Sequence, residues 1–299
     1  MNLTITNLNK TYSNGRSAGA VKALNDISLT MGAGLFGLLG PNGAGKSSLM
    51  RTIATLQEAD SGSISFSGPF GTIDVLTQPD ALRQRLGYLP QEFGVYPRIA
   101  AETLLDHLAV LKGITNSRER KETVAALLHK TNLYNVRTKS LGGFSGGMKQ
   151  RFGIAQALLA NPSLIIVDEP TAGLDPGERN RFLNLLGELG EDRIIILSTH
   201  IVEDVQELCR DMAIVNKGTV LFQGHPDAAL ATVAGRVWHK RVNKSELADL
   251  KQNTTVISER MMAGDPVVHV LAESNPGAGF QAVEPTLEDV YFTNILGLN

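Results

Sequence analysis

Apolar and polar residues alternate over residues 3–8, the period-two pattern of a half-buried strand. A turn containing Ser, Asn and Gly follows around 13–19, and a second extended stretch lies near 21–29. The short apolar run at 35–39 ends in a glycine loop, after which residues 46–56 take helical spacing. Residues 79–132 are mainly helical in pattern, with helices predicted over 101–112 and 117–131 and a mixed-sign solvated face at 118–122. Another helix is predicted over 148–160, closed by Asn161-Pro162. Aliphatic strands at 164–167, 194–198 and 212–215 then alternate with helical segments at 177–189 and 202–210. Strands apolar on both faces and separated by helices predict a parallel, doubly wound α/β sheet.

The regularity changes near residue 224. Residues 237–242 read as a strand, 245–250 as a short helix, and 255–262 with 267–271 as a hairpin joined at Gly264-Asp265. A Gly/Pro/Asn loop at 275–279 leads to a last strand and a helix whose N-cap is Thr286, with Asp289 three residues on as a capping box. The chain thus divides into residues 1–224 and a small α+β module at 225–299.

Composition narrows the function. Lys and Arg number 28 against 30 Asp and Glu, so the basic footprint of a nucleic-acid binder is missing. The single cysteine, Cys209, excludes a disulfide framework within the chain and predicts a small buried apolar residue on a helix. No apolar run approaches the ~20 residues that cross a bilayer, and residues 1–5 have no signal-peptide character. A cytoplasmic protein is expected, with any membrane role supplied by a partner. The departure from average is glycine, 30 of 299 residues. Ten of them fall in two short segments, 32–45 and 142–147.

The first segment contains Gly40-Pro41-Asn42-Gly43-Ala44-Gly45-Lys46-Ser47, which fits G-x-x-x-x-G-K-[ST] between a buried strand and a helix. Such a loop curls so that successive N–H groups face inward and hold phosphate oxygens at the positive end of the helix. Lys46 reaches the β- and γ-phosphates, and the Ser47 hydroxyl is a Mg²⁺ ligand. Asp168-Glu169 follow the buried strand at 164–167, at the carboxyl edge where open parallel sheets bind ligands. Asp168 suits Mg²⁺ coordination, and Glu169 suits deprotonation of an attacking water. His200 follows another buried strand at the same edge and suits a γ-phosphate contact. The other histidines have no such placement and no zinc spacing. Ser145-Gly146-Gly147 opens a helix and, read alone, is either a second anion site or a flexible entry loop.

Together, the phosphate loop, the acidic pair and Leu141-Gly142-Gly143-Phe144-Ser145-Gly146-Gly147-Met148-Lys149-Gln150-Arg151 resemble the motif set of ABC-type ATPases, over roughly residues 1–224. The resemblance implies a P-loop NTPase fold of ABC type, with a helical subdomain at about 92–160. It extends the nucleotide-contacting set to Ser48 and to Tyr12, as the aromatic that stacks on adenine. Gln91, after Gly87-Tyr88-Leu89-Pro90, matches the glutamine linking Mg²⁺ and water to the transport partner. Asp175 matches the segment that crosses between subunits, Glu169 the catalytic glutamate and His200 the switch histidine. Two departures, Phe144 and Met148 around the Ser-Gly-Gly core and Ser47 where Thr is frequent, remove no catalytic group.

In this family one subunit's signature completes the other's nucleotide site, which implies a dimer with ATP sandwiched between its halves; a two-fold homodimer would provide both sites from this one chain, and a heterodimer stays open. Residues 92–101, with Val95-Tyr96-Pro97, would face helices of separate integral-membrane permease subunits. The ending at 284–292 resembles the tails of bacterial ABC-2-type exporter subunits, which implies a peripheral protein at the cytoplasmic face of the inner membrane that powers export. Two alternatives belong to other classes: a soluble ABC ATPase acting on ribosomes or chromosomes, and a regulatory module that binds nucleotide without turnover. One set of motifs without a heptad run disfavours the first, and intact Glu169 and His200 disfavour the second.

Overall fold

The protein's structure, a computed structural model, describes residues 1–14, 18–91, 94, 96–243 and 245–298. Strands β1 (Asn2–Asn14) and β2 (Ala18–Gly32) form a long antiparallel ribbon, followed by β3 (Gly34–Leu39) and helix α1 (Lys46–Ile53). Next come β4 (Ser61–Gly68), β5 (Gly71–Asp74), α2 (Pro79–Arg83), β6 (Leu86–Leu89), α3 (Ala101–Leu111), α4 (Ser117–Lys130) and α5 (Gly146–Ala157). Then β7 (Leu164–Asp168), α6 (Pro176–Leu189), β8 (Ile194–Thr199), α7 (Val202–Leu208), β9 (Asp211–Asn216) and β10 (Thr219–Gly224) alternate. The remainder is α8 (Pro226–Ala231), β11 (Val237–Arg241), α9 (Glu246–Asn253), β12 (Val256–Met262), β13 (Asp265–Leu271), β14 (Gln281–Ala282) and α10 (Leu287–Leu296).

The central sheet has the order β10-β9-β3-β8-β7-β6, parallel except for the antiparallel edge strand β10. Its side chains alternate between two cores. Leu164, Ile166, Ile194 and Ile196 pack with α1 and a four-stranded antiparallel sheet, β2-β1-β4-β5. Ile165, Val167, Ile195 and Leu197 pack with α6 and α7 on the other face. Both faces are dry, which is why these strands carry uninterrupted Ile, Leu and Val.

The four strands predicted from aliphatic runs, β3, β7, β8 and β9, pair in parallel as expected, and the segment 79–132 is mainly helical; the antiparallel edge strand β10 and the short strand β6 within that segment are additional. Strand β6 is four residues long and packs tightly: a Cβ on Gly87 would stand 2.2 Å from the Ala157 carbonyl oxygen. A strand that short cannot display a period. Strands β4 and β5 are also additional to the elements the hydrophobic pattern predicts.

A separate core of α3, α4 and α5 is built on Leu105, Leu128, Phe144 and Phe152. The last sheet, β12-β13-β11-β14, has its own small core of Val242, Val268, Val270 and Phe280. Its other face joins the central core through Ile257 and Leu271, alongside Leu287 and Val290 of α10. Helix α10 starts with the expected capping box: Thr286 Oγ1 accepts from the Asp289 amide, and the Asp289 carboxylate accepts from the Thr286 amide.

Candidate functional site

Parallel register brings the site together. Leu39 of β3 lies beside Thr199 of β8, Asp168 of β7 beside Ser198, and Leu89 of β6 beside Val167. The four segments leaving these strands, which carry Gly40, Gln91, Glu169 and His200, therefore share one sheet edge. They open on a cleft of about 440 Å³ lined by the phosphate loop from Pro41 to Ser48 together with Gln91, Glu169 and His200.

The glycines of the loop have steric causes. A Cβ on Gly40 would lie 2.3 Å from the Val215 carbonyl oxygen, and Gly45, at φ +105°, would bring one within 2.4 Å of the Ala23 carbonyl oxygen. Helix α1 starts directly from Gly45 without a side-chain cap, so its first N–H groups are left for a ligand. Lys46 is buried at the base of the loop, donating to the Gly40 carbonyl at 2.5 Å and the Pro41 carbonyl at 3.3 Å. Its ammonium lies 3.8 Å from Glu169 Oε1. Burial lowers the lysine's pKa, while Glu169 and Asp168 pull it back up. A phosphate in the cleft would meet a dry cation already aimed by backbone carbonyls.

Glu169 holds a left-handed backbone, φ +47°, rare for a residue other than Gly, Asn or Asp. Strain of this kind costs about 1–3 kcal/mol and persists where its surroundings impose it. Here the Glu169 amide donates to the Ser198 carbonyl at 2.9 Å. Its Oε2 lies 2.6 Å from His200 Nδ1. A carboxylate only accepts, so Nδ1 carries the proton in this contact.

Asp168 is buried, and burial raises its pKa, with Ser198 and Lys46 opposing and the Glu169 charge adding to the rise. Among the described residues its Oδ1 has no hydrogen-bond partner. Ser47 and Gln91 line the cleft, whereas Asp168 is not among its lining residues; the orphaned Asp168 oxygen, the Ser47 hydroxyl and the Gln91 amide are oxygen donors of the kind that suits a hard cation such as Mg²⁺. Among the described residues no three His, Cys, Asp or Glu side chains are grouped to hold a metal alone. Such an ion would share its coordination with the oxygens of a bound phosphate.

Tyr12 is not a core residue: it is 37% exposed. It pairs across the ribbon with Val21, which lines the cleft, and its hydroxyl lies 3.3 Å from Ser48 Oγ. Val21, Lys22 and Lys217 also line the cleft and belong to no motif. They arrive through the β1–β2 ribbon and the β9–β10 turn, where the Gly218 amide donates to the Ala44 carbonyl.

Ser145, Gly146, Gly147 and Asp175 are not among the cleft's lining residues. Ser145 and Gly146 are exposed, and Ser145 caps α5 by accepting from the Met148 amide at 3.2 Å. Gly147 is buried against Glu178, whose carboxylate also pairs with Arg151 and Arg181. Asp175 caps α6 by accepting from the Glu178 amide at 3.0 Å. Glu178, absent from any motif, thus joins the signature helix to the Asp175 turn. Asp204 does the same for the loops after β7 and β8: fully buried, it accepts from Thr171 Oγ1 at 2.7 Å and Arg179 Nε at 2.8 Å. Cys209 is buried as expected, its thiol pushed up to about 12 by burial, but it stands in extended conformation just past the end of α7 and not on the helix. Of the segment expected to face membrane helices, Glu92 and Val95 lie outside the described residues, while Tyr96 is exposed.

The family model described as ABC transporter matches residues 24–172. The chain is 34% identical over 291 residues to the probable multidrug ABC transporter ATP-binding protein YbhF of Escherichia coli K12, covering 92% of this chain and 49% of that one. It therefore spans about half the length of that relative. The Nod factor export ATP-binding protein I of Rhizobium sp. strain N33 is 33% identical over 297 residues, covering 92% of this chain and 93% of its own. Among solved structures, the dimeric ATP-binding cassette MJ0796 in a post-hydrolysis state bound to ADP and Pi superposes with a TM-score of 0.66. It covers 75% of this chain and 98% of its own at 24% identity, a likeness of fold. No helix among the described residues is long and apolar enough to cross a membrane.

Proposed function

We propose, from the premise that the chain belongs to the ABC transporter family as an ATP-binding protein, that it hydrolyses ATP and so powers transport through separate integral-membrane subunits. The observation that carries this reading is the convergence of Lys46, Glu169 and His200 at one end of the phosphate-loop cleft.

In this reading each residue has a part, assigned by the resemblance to the family's motifs. The amides of residues 41–48 and the Lys46 ammonium bind the phosphates, and Tyr12 stacks on the base beside Ser48. Ser47, Gln91 and Asp168 would hold Mg²⁺, which would supply charge neutralisation at the phosphates. Glu169 accepts the proton of the attacking water, and His200, fixed through Nδ1, contacts the γ-phosphate. Ser145, Gly146, Gly147 and Asp175 face the ATP of a second copy, a reading supported by the exposure of Ser145 and Gly146 and by their absence from the lining of the chain's own cleft. Hydrolysis removes the γ-phosphate contact that holds the copies together.

We take the direction to be export, at the cytoplasmic face of the inner membrane, with residues 225–299 as an accessory module. The relatives' names and the tail at 284–292 support this. Purification from detergent-solubilised membranes tests the coupling. Recovery with a multi-span partner is expected; recovery on ribosomes alone sinks the transport reading.

A further inference from the structure

Beside the cleft, Tyr12 is held by a residue that no motif includes. Its hydroxyl donates to Gln57 Oε1 at 2.6 Å. The Gln57 amide nitrogen donates to the Ser48 carbonyl and to Thr52 Oγ1, both at 2.8 Å. Thr52 Oγ1 donates to the same Ser48 carbonyl, also at 2.8 Å. These contacts allow one amide orientation, because both partners of the nitrogen accept and the phenol donates. The strand segment leading to Tyr12 is pinned by the same loop: Asp60 accepts from the Thr11 amide at 2.6 Å and from Lys10 Nζ at 3.0 Å. The pinning falls where β1 is irregular, with register shifts between Lys10 and Thr11 and between Tyr12 and Asn14. Ladder pairing alone therefore leaves the ring's position loosely specified.

We infer that Gln57 is a positioning residue for nucleotide recognition, tying the base-stacking ring of Tyr12 to the first turn of the phosphate-loop helix. The inference rests on the reading of Tyr12 as the platform for the base. Phosphates bound at the start of α1 and a base stacked on Tyr12 must be held at one fixed separation. The Tyr12–Gln57–Ser48 chain sets it, because one end is the ring hydroxyl and the other is a backbone carbonyl within α1. Without Gln57 the hydroxyl keeps, among the described residues, only Ser48 Oγ at 3.3 Å.

Equilibrium binding of ATP and of inorganic tripolyphosphate to the full chain separates this role from support of α1. Gln57→Leu is expected to weaken ATP about threefold to tenfold, a part of what loss of a base stack removes, and to leave tripolyphosphate within about twofold. Gln57→Met, close to glutamine in length but with no N–H for the Ser48 carbonyl and no oxygen for the phenol, should behave alike if the leucine variant folds poorly. In a Tyr12→Phe background Gln57→Leu should add nothing further. Equal losses for both ligands, or effects that add in that background, overturn the inference. So does unchanged ATP affinity in Gln57→Leu when Tyr12→Ala weakens it. Unchanged ATP affinity in Tyr12→Ala refutes the platform reading itself, and this inference with it.

Discussion

Asp204 offers a quantitative test of how the site loops are held. It is fully buried and serves two partners: the Thr171 hydroxyl, in the loop leaving Glu169, and the Arg179 guanidinium on α6. Asp204→Asn keeps an acceptor for Thr171 and removes the charge facing Arg179, whose side chain is 28% exposed. Water reaches that guanidinium in part, so the loss should sit near the low end of the range for charged hydrogen bonds, about 1.5–2 kcal/mol. Asp204→Ala also strands the Thr171 hydroxyl, which is 3% exposed. An unsatisfied buried group adds about 1–3 kcal/mol, for a total of about 3–5 kcal/mol. At about 2–4 °C per kcal/mol for a chain approaching this size, the alanine variant should melt some 6–20 °C lower and the asparagine variant some 3–8 °C lower. Thermal and urea unfolding measure both, and an unchanged urea slope shows that the loss is one of stability. Helix α7 starts two residues after His200, so hydrolysis should fall further than ATP binding. An alanine variant costing under about 1 kcal/mol refutes the claim that Asp204 clamps these loops.

Two further predictions concern the rest of the chain. Cys209, the single cysteine, should resist alkylation at pH 8 in the native protein and react fully in urea, because its thiol is buried and pushed up to about 12; rapid native labelling contradicts this. Burial raises the pKa of Asp289, but hydrogen bonds from His269 and Thr286 outweigh it and leave the carboxyl below its ordinary value. A carboxylate of depressed pKa stabilises the fold above its unfolded value of ~3.9 and loses that contribution as pH falls through the folded value. Asp289→Asn should therefore cost about 1.5–3 kcal/mol at pH 7, with the gap to wild type narrowing below pH ~4; a constant gap down to pH 3 refutes the assignment.

What the chain displays in advance is what lies at strand ends or obeys a local rule. Gly40 to Ser47, Asp168-Glu169 and His200 are contiguous with uninterrupted aliphatic strands, and parallel pairing brings such ends to one edge. Thr286 and Asp289 are legible because a capping box spans only three residues. Strand β4 is not: Ile64 and Phe66 alternate with serines, but two apolar residues among glycines fall short of a full alternating run. Gln57, Glu178 and Asp204 act through partners that tertiary packing delivers, Tyr12 from 45 residues away and Arg151 from 27. Lys217 enters the cleft because the β9–β10 turn hydrogen-bonds to the phosphate loop, a contact with no periodicity to announce it.

Hydrolysis of ATP by Glu169 at sites completed by a second copy is tested by sedimentation of Glu169→Gln, with and without ATP, paired with turnover. An ATP-dependent dimer should accumulate while hydrolysis falls about a hundredfold or more, the contribution expected of a general base. Adding Ser145→Arg should abolish the dimer and leave ATP bound to the monomer. A Glu169→Gln chain that stays monomeric at saturating ATP, or that turns over at the wild-type rate, rules this mechanism out.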